Sequence, residues 1–173
     1  VAVGDMGTIL TSTDGLSWVL RTSPSERHLQ SVVWAGNAFV AVGDRGLILK
    51  SIDGITWTVV MAGLDVLSLN AIAKNSTGFI LPYGRNLIAT SDFKSWTTTT
   101  NAFQAAVRGA LWTGNHYVVV TESGGIYTSL DGAAWTKQTS GTTQNLMGIG
   151  WNGSLIVAVG ANGTILTSTD AVT

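Results

Sequence analysis

The sequence predicts an all-β protein, a β-propeller-type array of four-stranded antiparallel blades. Three observations carry that prediction. Landmarks recur every 39 residues: Asp14, Asp53, Asp92, Asp131 and Asp170 form one series, and Trp18, Trp57, Trp96 and Trp135 form a second in the same frame. Each period breaks into four short apolar or β-branched runs separated by Gly, Asn and Asp, the signature of strands and turns. Charged residues make up only 11% of the chain against 45% hydrophobic, with 21 glycines and two prolines. That mix suits short strands covered on both faces and joined by tight turns.

The units follow in order along one array covering residues 1–173. Residues 1–22 hold a partial blade of strands B, C and D, with "VAVGDMGTILTS" (1–12) supplying B and C. Residues 29–61 hold a complete blade. There "LQSVVW" (29–34) is strand A, a Gly36-Asn37 turn leads to "FVAVG" (39–43) as strand B, Asp44-Arg45-Gly46 turns into "LILKS" (47–51) as strand C, and an Asp-Gly turn leads to "WTVVM" (57–61) as strand D. Complete blades follow at 68–100 and 107–139; "AFQAAVRGALW" (102–112) reads as a loop entering strand A. Residues 146–173 hold a partial blade of strands A, B and C, and "IVAVGANGTILTS" (156–168) repeats the opening of the chain. A blade of about 40 residues cannot bury both of its faces alone, so blades must stack.

Composition excludes several functions. A net charge of −1 offers no basic stripe for phosphates, so no nucleic-acid partner is expected. With no cysteine and two lone histidines, disulfides, thiolate chemistry and a metal site are not expected. No phosphate loop or nucleophile elbow occurs, and no cofactor is expected. No apolar run approaches the ~18 residues of a membrane-spanning helix, so membrane insertion is not expected. His116 reads as an exposed turn residue, and the "NST", "NGS" and "NGT" triplets as turns. The chain begins at Val1 with neither Met nor signal peptide and reads as a mature or excised piece. A secreted or cell-surface/periplasmic bacterial protein is the expected setting.

The stretches "STDGLSW" (12–18), "SIDGITW" (51–57), "TSDFKSW" (90–96) and "SLDGAAW" (129–135) share the pattern Ser/Thr-x-Asp-x-x-x-Trp. This resembles the Asp-box, or BNR, repeat of sialidases and sortilin-type propellers. The longer "VAVGDRGLILKSIDGITW" (40–57) is most similar to the photosystem II assembly-factor family. Turn chemistry gives the Asp a structural role. An ionised carboxylate accepts backbone N–H groups at a tight turn, Gly15, Gly54 and Gly132 supply backbone freedom, and the Trp caps the turn. Phe93 stands where Gly is expected, so the third turn is expected to differ in shape. The resemblance also implies that Asp-boxes sit away from active sites.

Function is therefore expected at the opposite end, among the B–C turns and the D–A connections. All five arginines read as lying there: Arg21 and Arg27 in a D–A loop, Arg45 and Arg85 at B–C turns, and Arg108 entering strand A. The candidate ligand-binding residues are Asp44, Arg45, Tyr83, Arg85, Arg108 and Glu122, a set suited to gripping an anionic group through the guanidinium fork. The plain alternative is that loops carry the charges that strands here cannot. The assembly-factor resemblance implies an arginine-rich patch facing a partner. The sialidase resemblance implies an arginine triad, a Tyr–Glu nucleophile pair and an Asp acid. The expected function is a non-catalytic binding or scaffold module for a protein or glycan, with a sialidase-type glycoside hydrolase as the alternative. Residues 157–173 repeat 1–17 in register, which leaves three arrangements: a fragment of a larger ring, a compact five-bladed ring, or copies that associate by supplying each other's missing strands.

Overall fold

The structure is a computed structural model that describes residues 1–61 and 68–172. The chain divides into two compact units, Val1–Ile72 and Ala73–Thr173. In the first, β1 (Ala2–Val3), β2 (Ile9–Thr11) and β3 (Val19–Arg21) form a three-stranded sheet in that order. A four-stranded sheet follows from β4 (Leu29–Trp34), β5 (Phe39–Gly43), β6 (Ile48–Ser51) and β7 (Thr58–Met61). The two sheets share a core of Ile9, Leu29, Ala41, Leu47, Leu49 and Trp57, with Val1, Val3, Val32 and Phe39 against it. Trp57 is 6% exposed there, and burying an indole of that size contributes about 2–3 kcal/mol.

The second unit has three sheets. The first contains β8 (Ala73–Lys74), β9 (Phe79–Tyr83), β10 (Asn86–Thr90) and β11 (Thr97–Thr99). The next contains β12 (Val107–Trp112), β13 (Tyr117–Thr121), β14 (Ile126–Ser129) and β15 (Thr136–Gln138). The last contains β16 (Leu146–Trp151), β17 (Ile156–Gly160) and β18 (Ile165–Ser168). Every strand pair is antiparallel and joins sequence neighbours. Among the described residues the architecture is thus all-β, with five small sheets, three of four strands and two of three: the first sheet holds strands B, C and D, and the last holds A, B and C. Thr173, at the end of the last expected blade, lies outside the described residues.

Tyrosines join the first two sheets of this second unit. Tyr117 is buried beside Ile80, Phe103 and Val119, and its hydroxyl donates to the Gly78 carbonyl at 3.2 Å while accepting the Asn75 N–H at 3.2 Å. Burial pushes its phenol up to about 12. Tyr127 accepts the Gln104 N–H in the same way at 3.2 Å.

The C–D turns are built on the recurring aspartates. Asp53 Oδ1 accepts N–H bonds from Ile55 and Thr56, both at 2.8 Å, and the Ser51 hydroxyl at 2.9 Å. Asp14, Asp92 and Asp131 repeat the two backbone bonds at 2.8–3.0 Å. These donors stabilise the charged form and hold the Asp14 and Asp53 carboxyls down at about 2, with Asp92 and Asp131 lowered in the same direction. The third turn corrects the expectation of a different shape. Phe93 takes φ +58°, close to the +74° of Gly54, and the backbone bonds to Asp92 Oδ1 and Thr90 Oγ1 are kept. Its ring packs on Phe79 and Trp96, which offsets the cost of left-handed backbone.

Candidate functional site at the B–C turns

Each B–C turn is fixed by main-chain bonds, so its side chains are not needed to hold it. In the first unit the turns are Asp5–Gly7 and Asp44–Gly46, with Met6 and Arg45 at φ +52° and +54°. Asp44 N–H donates to the His28 carbonyl at 3.0 Å, Leu29 N–H to Gly4 at 3.0 Å, and Leu69 N–H to Gly43 at 3.1 Å. The second unit repeats the scheme. Glu122 N–H meets the Ala106 carbonyl at 2.9 Å, Ala161 N–H that of Asn145 at 2.8 Å, and Val107 N–H that of Gly84 at 2.9 Å. At two of the turns the approach is close enough that only glycine fits: a Cβ on Gly7 would lie 1.9 Å from the Ser25 carbonyl oxygen, and one on Gly124 2.1 Å from that of Thr142. The turn after β9 is shorter, with only Gly84 and Arg85 between Tyr83 and Asn86.

A bulge at the start of strand A sets the polar chemistry. The register slips between Leu29 and Ser31, Val107 and Gly109, and Leu146 and Gly148. Gln30, Arg108 and Met147 are the extra residues, and all three are exposed. Gln30 Nε2 donates to Asp44 Oδ1 at 3.2 Å, and the Ser68 hydroxyl donates to the same oxygen. Arg108 Nε donates to Glu122 Oε1 at 3.0 Å, and its Nη2 converges on that oxygen too. Both pairs are 14 residues apart and occupy equivalent places in the repeat. The Arg108–Glu122 side chains are 39% and 34% exposed, so the pair contributes on the order of 0.5–1 kcal/mol.

The candidate residues fall into separate groups. Asp44 and Arg45 belong to the first unit, with Asp44 engaged by Gln30 and Ser68 and Arg45 exposed. Tyr83, Arg85, Arg108 and Glu122 belong to the second. Arg85 is exposed and donates through Nη2 to Asn101 Oδ1 at 3.1 Å, and Tyr83 is half-buried at the end of β9. Among the described residues no hydrogen bond joins Tyr83 to Glu122, whose carboxylate is taken up by Arg108. Arg21 corrects another expectation: it ends β3 rather than lying in a loop, and its Nε donates to Thr11 Oγ1 at 2.8 Å. Arg27 reaches back to the Arg45 carbonyl at 3.3 Å. His28, which the sequence presented as lone, lies 3.1 Å from Asp5 Oδ1 and 3.3 Å from the Met6 N–H. His116 is half-buried rather than exposed.

Beside the Glu122–Gly124 turn lies an open groove of about 690 Å³, lined by Ser123, Gly124 and residues 137–143. Its polar rim includes the Lys137 ammonium, which donates to Gln104 Oε1 at 2.6 Å. Among the described residues, no group of three or more His, Asp or Glu side chains is placed to hold a metal ion. None of their helices is long and apolar enough to cross a membrane.

These features define a β-propeller-type protein, and the solved structures it is similar to have the same fold. A structure of YCF48 bound to a D1 peptide matches 85% of this chain and 53% of that one, at 18% identity and a TM-score of 0.67. YCF48 from Cyanidioschyzon merolae matches 86% and 55%, at 18% identity and 0.68. A chain of the nidogen–laminin complex matches 97% and 72%, at 12% identity and 0.78. The chain spans about half the length of the YCF48 structures. No protein-family model and no curated protein matches it.

Proposed function

We propose that this chain is a non-catalytic scaffold propeller that engages a protein partner through its B–C turns and the connections beside them. The observation that carries the reading is the division of labour at those turns. Main-chain bonds between connector and turn hold the backbone, while Arg45 in the first unit and Arg85 in the second each stand exposed, Arg85 with one donor engaged by Asn101. Guanidinium forks recognise carboxylates, so the partner segment is acidic and extended. The open groove beside Glu122–Gly124 fits a polypeptide better than a small enclosed substrate. Structural neighbours solved with a bound peptide and in a two-protein complex support the same use of the fold. The resemblance of residues 40–57 to the photosystem II assembly-factor family points the same way, as an analogy of fold and motif.

The test is selection of a displayed library of extended peptides against the wild-type chain and an Arg45→Ala/Arg85→Ala variant. Acidic peptides should be enriched by the wild type and lose at least about tenfold in affinity for the variant. Thermal unfolding of the two proteins should agree. Equal enrichment by both would remove the arginines from the site. Turnover of a fluorogenic sialoside would replace the reading with a glycosidase.

A further inference from the structure

The second unit has an open cleft of about 320 Å³ at its C–D turns, between the β8–β11 sheet and the Asp131 turn of the next sheet. Phe79, Ile80 and Tyr117 give it an apolar wall, and Trp96, Ser95 and Asp131 stand among its polar lining. The two sides are held closely together: a Cβ on Gly132 would lie 2.9 Å from Ile80 Cγ2 and 3.4 Å from the Tyr117 ring. The cleft shares no residue with the B–C turns.

Trp96 departs from its counterparts at one atom. The indole N–H groups of Trp18, Trp57 and Trp135 donate to the carbonyls of Gly15, Gly54 and Gly132 at 3.3, 3.0 and 3.2 Å. Before Trp96 that glycine is replaced by Phe93, whose ring stands edge-on to the indole with centroids 6.2 Å apart. Trp96 is half-buried, yet among the described residues its Nε1 has no acceptor. An indole N–H so placed ordinarily finds one. Two hydroxyls beside it are also unused: Ser91 and Ser95 are exposed lining residues, and among the described residues neither Oγ makes a hydrogen bond. The neighbouring repeats carry Ile52 and Leu130 at the first position and Thr56 and Ala134 at the second. Asp131 holds its own turn through Oδ1, which leaves Oδ2 to accept.

We infer that this cleft binds a neutral hexopyranose, with the C–H face of the sugar against the apolar wall and its hydroxyls on the Trp96 N–H, the two serines and Asp131. One donor, two hydroxyls and one acceptor around an apolar wall suit a ligand whose every hydroxyl both donates and accepts. An apolar ligand would strand all four groups, and a cation would satisfy the carboxylate but leave the indole N–H without an acceptor. The Asp131 charge repels an anionic sugar. The volume lies at the low end of the roughly 300–1,000 Å³ of small-ligand sites, which fits one ring rather than several.

The test is titration of the nitrogen-15-labelled chain with the methyl glycosides of glucose, galactose and mannose, followed on the indole N–H resonances of its seven tryptophans. The resonance missing from Trp96→Phe belongs to Trp96, and it should move furthest with at least one sugar, with a Kd on the order of 1 mM. Trp96→Phe keeps a ring and loses the N–H, and followed on backbone amides it should bind about tenfold more weakly. Ser91→Leu/Ser95→Ala installs the residues that the next repeat carries at 130 and 134, so it should fold, and the Trp96 resonance should then stay in place. A Trp96 resonance that none of the three sugars moves would overturn the proposal. So would equal movement in the double serine variant, or larger movement with tetramethylammonium or sialic acid. A glycan ending in the preferred hexose that binds more tightly than its methyl glycoside assigns the site to glycan ends; equal affinity assigns it to the free sugar.

Discussion

Phe93 stands in the left-handed backbone position that glycine holds at Gly15, Gly54 and Gly132, and its ring lies on Phe79 with centroids 4.6 Å apart. Backbone strain and ring packing oppose each other at one residue, which makes them separable. Phe93→Ala keeps the strain and loses the packing, so it should destabilise by about 1–2 kcal/mol. Phe93→Gly loses the same packing but releases the strain, and should be more stable than the alanine variant by about 1 kcal/mol. Urea midpoints of the two variants check the order. An alanine variant as stable as the glycine variant would contradict it.

The turn aspartates make stability depend on acid. Their folded carboxyls sit below the ordinary value of 3.8, Asp14 and Asp53 at about 2, because backbone N–H groups favour the charged form. The unfolded chain therefore binds more protons in this window, and stability rises with pH. The contribution is complete above the ordinary carboxylate range and disappears as pH falls from about 4 to about 2. Urea midpoints should be flat near neutrality and drop through that window. The combined Asp53→Asn/Asp131→Asn variant should show a shallower drop.

Tyr117 gives a third expectation. Its hydroxyl donates to the Gly78 carbonyl and accepts the Asn75 N–H, which also has the Gly78 carbonyl at 3.0 Å. Because Asn75 keeps that second partner, Tyr117→Phe should cost only about 1 kcal/mol. A loss of 3 kcal/mol or more, on the scale of a broken buried network, would mean the hydroxyl does more than these two bonds.

Two glycines with nearly the same backbone separate strain from collision. Gly124 has φ +71° and a Cβ there would lie 2.1 Å from the Thr142 carbonyl oxygen, whereas Gly141 has φ +69° and open space around it. Gly141→Ala should cost about 1 kcal/mol, the price of left-handed backbone alone. Gly124→Ala adds a main-chain clash and should cost about 3 kcal/mol or more. Thermal denaturation of both variants measures the difference.

Arg45 adds an expectation for the binding face. It holds φ +54° at the position where Asn162 holds +55°. Asparagine tolerates that conformation better than arginine, so Arg45→Asn should raise stability by up to about 1 kcal/mol while weakening acidic-peptide binding. Opposite signs for stability and binding would mark the arginine as retained for its contact.

The repeat period made the sheets legible in the sequence, because the inner strands are largely apolar and the turns between them are marked by Gly, Asn or Asp. Side-chain pairing was less legible. Gln30 and Ser68 converge on Asp44 only because a bulge turns Gln30 toward the B–C turn, and a bulge leaves no compositional mark. The recurring separation of 14 residues between Gln30 and Asp44, and between Arg108 and Glu122, was the available signal. Phe93 misled because its packing partner Phe79 is distant along the chain. Arg21 misled because β3 is one residue longer than its apolar run.

The main-chain bonds between connectors and B–C turns carry a consequence for how such a protein changes over time. Main-chain bonds from the connectors, joined at two tips by the connector side chains His28 and Asn145, hold these tips, and among tip residues the closely approached glycines are fixed. Substitutions at Met6, Arg45, Ser123 or Asn162 rewrite what the tip displays without altering how it is anchored. A gene encoding such tips can diversify its recognition surface quickly while the strands drift slowly. Laboratory libraries confined to those four codons should consequently return a high fraction of folded clones.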